Sequence, residues 1–249
     1  MRTLFACLTV ALLTLTLGLF VVLCSVAGVP QRENGVYERC AHWWVSTATW
    51  ATGVTLVIHG DPHDRSARHV FVANHMSWLD VPILASLLRH FRFVAKAEIE
   101  KWPVFGAVFR AVGTVYLQRA NQKAAFESYR DAASRVQGGA SVVVFPEGTR
   151  GTSYALRPFK KGPFVLAISA QVPIVPTVVH GTMAALPKGG VWIRGGRVDV
   201  HFLEPVPTEG LSYDDRDALA KSVRDRMATL LRDVYGVESP PWDPRRGGS

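Results

Sequence analysis

An imidazole and a carboxylate separated by four intervening residues, in Asn74-His75-Met76-Ser77-Trp78-Leu79-Asp80, are the groups in this chain best suited to moving a proton. Histidine is the side chain whose ordinary pKa suits proton transfer near neutral pH. If Asp80 turns back to one ring nitrogen of His75, the other nitrogen is fixed as an acceptor, and a hydroxyl can give it a proton. That is a general base with its orienting partner, and it needs no nucleophilic serine or cysteine. A plainer description competes: Ser77-x-x-Asp80 is also a capping box, which any helix can carry at its start.

A second polar cluster follows an apolar run. Ser141-Val-Val-Val-Phe145 reads as a buried strand leading into Pro146-Glu147-Gly148-Thr149-Arg150. Gly148 permits close backbone approach or a positive φ, and Arg150 offers a planar fork that fits phosphate oxygens. Lys96 ends the run Phe93-Val94-Ala95, and Arg119 ends Gly113 to Gln118. Three cations at strand ends suggest a phosphate pocket. Otherwise Glu147 and Arg150 are a surface pair on an ordinary turn.

The apolar patterning places these groups on particular strands and helices. Val70 to Ala73 is strand-like and stops at Asn74, while helical periodicity runs from Trp78 to Leu88, so His75 and Asp80 lie in a strand-to-helix turn. Strands are predicted at 69–73, 92–95, 112–118, 141–145, 174–179 and 191–203, the last as an antiparallel hairpin around Gly195-Gly196. Helices are predicted at 77–90, 122–137 and 213–235, the last capped by Ser212 and closed by Gly236, with Leu219, Val223, Met227, Leu230 and Val234 inward. Alternating strands and helices predict an α/β domain with a mixed, mostly buried sheet flanked by helices.

With 249 residues, the chain accommodates one such domain and an appendage. No charged residue occurs from Leu4 to Val29, a run longer than a signal-peptide core and long enough to cross a bilayer. Ser25-Val26-Ala27 resembles a cleavage site, but the length favours a retained anchor. A second uncharged run, Ala41 to Ile58, contains Trp43, Trp44 and Trp50. Together they predict a membrane-embedded two-helix hairpin over 1–58, a catalytic domain over 59–239 and a disordered tail over 240–249. His59 and His63 flank Gly60, Asp61 and Pro62, turn residues that argue for a loop rather than a metal site. The cysteines (Cys7, Cys24, Cys40) all precede the domain, so it has neither a disulfide framework nor a cysteine zinc site. A net charge of +8 implies an anionic partner.

Four blocks occur in order: Asn74-His75-x4-Asp80, Gly113-x-x-Tyr116-x-x-Arg119, Phe145-Pro-Glu-Gly-Thr-Arg150 and Val172-Pro-Ile-Val-Pro176. Over about residues 60–210 the chain resembles the glycerolipid acyltransferase family, closest to 1-acyl-sn-glycerol-3-phosphate acyltransferases. Tyr116-Leu117 stands where many members have Phe-Ile. The resemblance implies a catalytic pair at His75 and Asp80. It implies acceptor binding by Glu147, Gly148, Thr149 and Arg150, with Lys96 and Arg119 toward the acceptor's phosphate.

The implied reaction passes an acyl chain from acyl-coenzyme A or acyl carrier protein to the sn-2 hydroxyl of lysophosphatidic acid, giving phosphatidic acid. No cofactor or metal is implied. Free N–H groups near Ser77 are the expected oxyanion donors. The implied partners are membrane lipids, at a cell membrane with the active site facing the cytoplasm. Two alternatives stay open: another acceptor (glycerol phosphate, a lysophospholipid or an acylated amino acid), or a non-enzymatic basic domain tethered to a membrane. The basic residues form no run and no nucleic-acid motif, so no nucleic-acid partner is expected.

Overall fold

The structure is a computed structural model describing residues 1–32, 34–61, 68–88, 101, 106, 114, 133–134, 136 and 141–243, with 91–96 and 115–117 described as backbone. Two helices, α1 (Arg2–Val26) and α2 (Val36–Ala51), precede β1 (Val54–His59) and β2 (Val70–Ala73). Next come α3 (Asp80–Leu87), β3 (Phe91–Lys96), β4 (Val115–Leu117) and β5 (Ser141–Val144). The chain continues through α4 (Gly162–Ala170), β6 (Ile174–His180), α5 (Thr182–Ala185), β7 (Gly196–Phe202) and α6 (Arg216–Tyr235).

The strands form one sheet in the order β1-β7-β6-β2-β5-β3-β4. All neighbours are parallel except β6 and β7, so the sheet is mixed, as expected. Residues of β2 alternate between two cores, because successive strand side chains point to opposite faces. Val70 and Val72 pack with Phe164, Val223 and Met227 on the α4/α6 side, whereas Phe71 and Ala73 pack with Ile83 and Leu84 of α3. Adjacent β2 and β5 therefore send their chains to opposite faces, through α3 and α4. That divergence opens a crevice at their carboxyl ends, the usual ligand position in open α/β sheets.

Several boundaries differ from those predicted. The predicted hairpin at 191–203 is a single strand, Gly196–Phe202, pairing parallel to β1 and antiparallel to β6. Residues 191–195 instead form a loop, because Gly195 and Gly196 (φ 70° and 110°) swing the chain into β7 and the Arg194 N–H is held by Ala185 O. The other partner of β7 comes from the second uncharged run. Its end is an edge strand and not part of a membrane helix, and its first part belongs to α2, which starts earlier at Val36, stops at Ala51 and packs on α1 and α3. Among the described helices only α1 is long and apolar enough to cross a membrane.

Helix α3 starts at Asp80 rather than 77, because residues 77–79 are a turn, and Pro82 falls in the first helical turn, where no N–H is required. Ser212 and Asp215 form the capping box before α6, and Gly236 ends it at φ 65°. The buried stripe of α6 is Leu219, Val223, Met227 and Leu231, leaving Val234 exposed. Arg224 of the same helix is buried and donates to Leu156 O and Pro240 O, and Trp242 packs on the core, so the start of the expected tail is held against the domain. Most of the predicted helix 122–137 lies outside the described residues, with Ala133, Ser134 and Val136 helical.

Candidate active site

His75 lies two residues past the end of β2, and its ring Nδ1 lies 2.8 Å from Asp80 Oδ2. Asp80 is fully buried and the His75 side chain is 14% exposed, so the imidazole reaches the crevice while its partner does not. A carboxylate only accepts hydrogen bonds, so the neutral ring carries its proton on Nδ1 and presents Nε2 as an acceptor. The Phe145 ring stacks on the imidazole at 4.1 Å between centroids and fixes its plane.

Asp80 also holds the turn. Its Oδ2 accepts the N–H groups of Met76 at 2.6 Å and Ser77 at 2.7 Å. Only half of the predicted capping box forms: the Ser77 hydroxyl donates to Leu186 O and accepts the Leu79 N–H, and does not receive the Asp80 N–H. Oxyanion donors are expected among free N–H groups near Ser77, and those of Met76 and Ser77 are committed to Asp80.

The 145–151 loop closes on this turn. Glu147 is 4% exposed, and its Oε1 accepts the His75 N–H at 3.1 Å. Burial pushes the Glu147 carboxyl up to about 7, against hydrogen bonds from the backbone of His75 and Arg157. The Gly151 N–H donates to His75 O at 2.7 Å, so both backbone groups of His75 are clamped by the second motif. Gly148 adopts φ 72°, a conformation suited to glycine, with Lys160 beside its α-carbon. Thr149 is exposed, and the Arg150 guanidinium lies over the Trp78 ring.

His75, Asp80, Glu147, Gly148, Thr149 and Arg150 are therefore brought together where β2 and β5 end, although Asp80 is buried behind the imidazole and Glu147 faces the His75 backbone. Lys96 closes β3 at the same carboxyl end of the parallel strands, and its side chain is outside the described atoms. Arg119 lies outside the described residues.

Sequence reasoning gave no role to several groups that build the site. The Asn74 side chain both donates to Val179 O and accepts the Val179 N–H, extending the β2–β6 pairing by side chain. The Tyr154 hydroxyl accepts the N–H groups of Gly181 and Met183, and its ring packs against His180 at a tilt of 32°. Only the types of Asn74 and Trp78, polar or aromatic beside a strand end, hinted at these contacts.

Among the described residues, His59, Asp199 and His201 are close enough to share an ion. The donor set fits a metal poorly. Asp199 is engaged by two Arg197 nitrogens, and the histidine rings are stacked 4.1 Å apart at 6°, so their in-plane lone pairs run side by side without converging. These groups form a polar cluster at the sheet edge.

The acyltransferase family model matches residues 55–180. A curated relative, 1-acyl-sn-glycerol-3-phosphate acyltransferase of Saccharomyces cerevisiae, is 30% identical over 218 residues, covering 86% of this chain and 71% of its own. The lyso-ornithine lipid O-acyltransferase of Pseudomonas aeruginosa is 27% identical, covering 82% of this chain and 81% of its own. The crystal structure of the 1-acyl-sn-glycerophosphate acyltransferase PlsC from Thermotoga maritima superposes with a TM-score of 0.78 at 25% identity, over 96% of this chain and 97% of that one.

Proposed function

The chain belongs to the acyltransferase family, and we propose that it transfers an acyl group from a thioester to the sn-2 hydroxyl of 1-acyl-sn-glycerol 3-phosphate, yielding phosphatidic acid. The observation that carries this reading is the His75 Nδ1–Asp80 Oδ2 contact of 2.8 Å, in a crevice whose rim carries Arg150. In the proposed step, His75 Nε2 takes the proton of the acceptor hydroxyl as its oxygen attacks the thioester carbonyl. The new C–O bond forms, the tetrahedral intermediate collapses, the C–S bond breaks, and the proton leaves with the thiol. Asp80 holds the tautomer and stabilises the imidazolium.

Arg150 supplies the charge for the acceptor's phosphate, which orients the hydroxyl. Lys96 and Arg119 are proposed to add to it. Gly148 and Thr149 shape the loop beneath the acceptor, and Glu147 holds His75 in place. The donor is acyl-coenzyme A or acyl carrier protein, and the chemistry calls for no resident cofactor. The apolar helix α1 supports attachment to a membrane, where lysophosphatidic acid resides, with the crevice on the cytoplasmic side that supplies thioesters.

A second acceptor class is favoured by one observation, the similarity to the lyso-ornithine lipid enzyme. Purified full-length protein should release thiol from a thioester donor when given lysophosphatidic acid. Glycerol 3-phosphate, lyso-ornithine lipid and a neutral monoacylglycerol provide the comparison. Arg150→Ala should selectively lose the phosphorylated acceptor. Equal rates with and without a phosphate, in wild type and variant alike, defeat the assignment.

A further inference from the structure

The loop from Pro187 to Arg194 is tied at both ends to parts of the molecule that matter. Lys188 Nζ donates to Arg150 O at 2.9 Å, so one end touches the rim of the active site. At the other, the Ile193 N–H donates to Thr3 Oγ1 at 2.9 Å, and Arg194 O accepts from Arg2 Nη1 at 2.5 Å. Between these anchors Val191 and Trp192 are 68% and 70% exposed, although nothing in the solvent rewards presenting a valine and an indole.

The apolar surface continues onto the membrane helix. Leu4, Phe5 and Leu8 are exposed on the first turns of α1, and Trp50 packs edge-on against Phe5. Cations flank the loop at Arg2, Lys188 and Arg194, and no acidic residue occurs from Leu186 to Val198, whereas Arg197 beyond it is paired with Asp199. An aromatic tip ringed by cations suits the boundary between lipid headgroups and acyl chains.

We propose that Val191–Trp192 is a membrane-inserting wedge, entering the headgroup region of an anionic phospholipid bilayer where α1 enters the hydrocarbon. Through Lys188 and Arg150 the wedge seats the rim of the crevice at the bilayer surface, so a lipid acceptor need not leave the membrane to reach His75. The proposal rests on reading α1 as a membrane helix.

The test uses the full chain, with Cys7, Cys24 and Cys40 replaced by serine, in vesicles of phosphatidylglycerol and phosphatidylcholine. A nitroxide is attached at Trp192→Cys and, in a second protein, at Tyr213→Cys. Tyr213 is exposed in the segment that meets Gln171 just before β6, whereas the loop lies beside the other end of that strand, where β7 begins. The label at 192 should be relaxed more by dissolved oxygen than by a water-soluble nickel chelate, and the label at 213 the reverse. A vesicle-bound chain whose 192 label behaves like the 213 label overturns the wedge and leaves the anchor standing. A chain that does not bind vesicles overturns both.

As a second readout, Trp192→Glu should slow acylation of vesicle-borne acceptor by about tenfold. A short-chain acceptor dissolved as monomers should be affected less than about twofold. Equal losses on both acceptors would mean the loop merely supports the fold.

Discussion

The guanidinium carbon of Arg150 stands 4.5 Å from the centroid of the Trp78 ring, so the cation of one motif rests on the turn that carries His75 and Asp80. Phosphate grip and proton transfer are thus registered to one another by direct contact. A cation–π contact at an exposed site is worth about 0.5–1 kcal/mol, so Trp78→Ala should raise KM for a phosphorylated acceptor about two- to five-fold with kcat little changed. Trp78→Phe should recover most of the loss. Steady-state kinetics on the three proteins decide it: a fall in kcat alone would place Trp78 elsewhere in the mechanism.

Asp80 both orients His75 and satisfies two buried N–H groups, so its variants should separate the two duties. Asp80→Asn keeps the shape but not the anion, and kcat should fall by roughly 10²–10⁴. Asp80→Ala should be as inactive and also less stable, since each stranded N–H costs about 1–3 kcal/mol. Thermal unfolding in detergent, measured beside thiol release and His75→Ala, resolves the pair. An active Asp80→Asn enzyme leaves only the structural duty.

Glu147 binds its proton more tightly in the folded chain, near pH 7, than at its ordinary 4.5. Its protonated form therefore adds no penalty below pH 4.5, and stability declines as pH rises from about 4.5 to 7 and the buried group ionises. Glu147→Gln can still accept the His75 N–H and should flatten that part of the stability profile while retaining most of the turnover. Urea unfolding between pH 4 and 8 gives the comparison, and a parallel slope in both proteins contradicts it.

Asn74 pairs with both backbone groups of Val179 across the ends of β2 and β6. Asn74→Ala strands a buried donor and an acceptor, with an expected cost on the order of 1–3 kcal/mol for each. Asn74→Asp keeps the acceptor but turns a second acceptor toward Val179 O, and should be no better tolerated. Both should lower the unfolding temperature, and an unchanged melt would show that this pairing is dispensable.

Much of this site was legible in the chain because its signals are local. The apolar run Val70–Ala73, the polar stop at Asn74-His75 and the resumption of helical period after it locate a strand-to-helix turn, and a five-residue step lets a carboxylate reach back to an imidazole. The capping at Ser212 and Gly236 was legible for the same reason: each end of that helix is set by its own residues.

Relations between segments distant in sequence came only with the assembled sheet. The alternation at 191–203 suited a hairpin, but Val54–His59 and Ile174–His180 supplied the partners that make only its second half a strand. Glu147 reads like a residue facing a ligand, and is instead buried against the His75 backbone. A strand's residues state which positions could be buried; only the assembled sheet determines what lies on each side of them, because those contacts come from residues dozens of positions away.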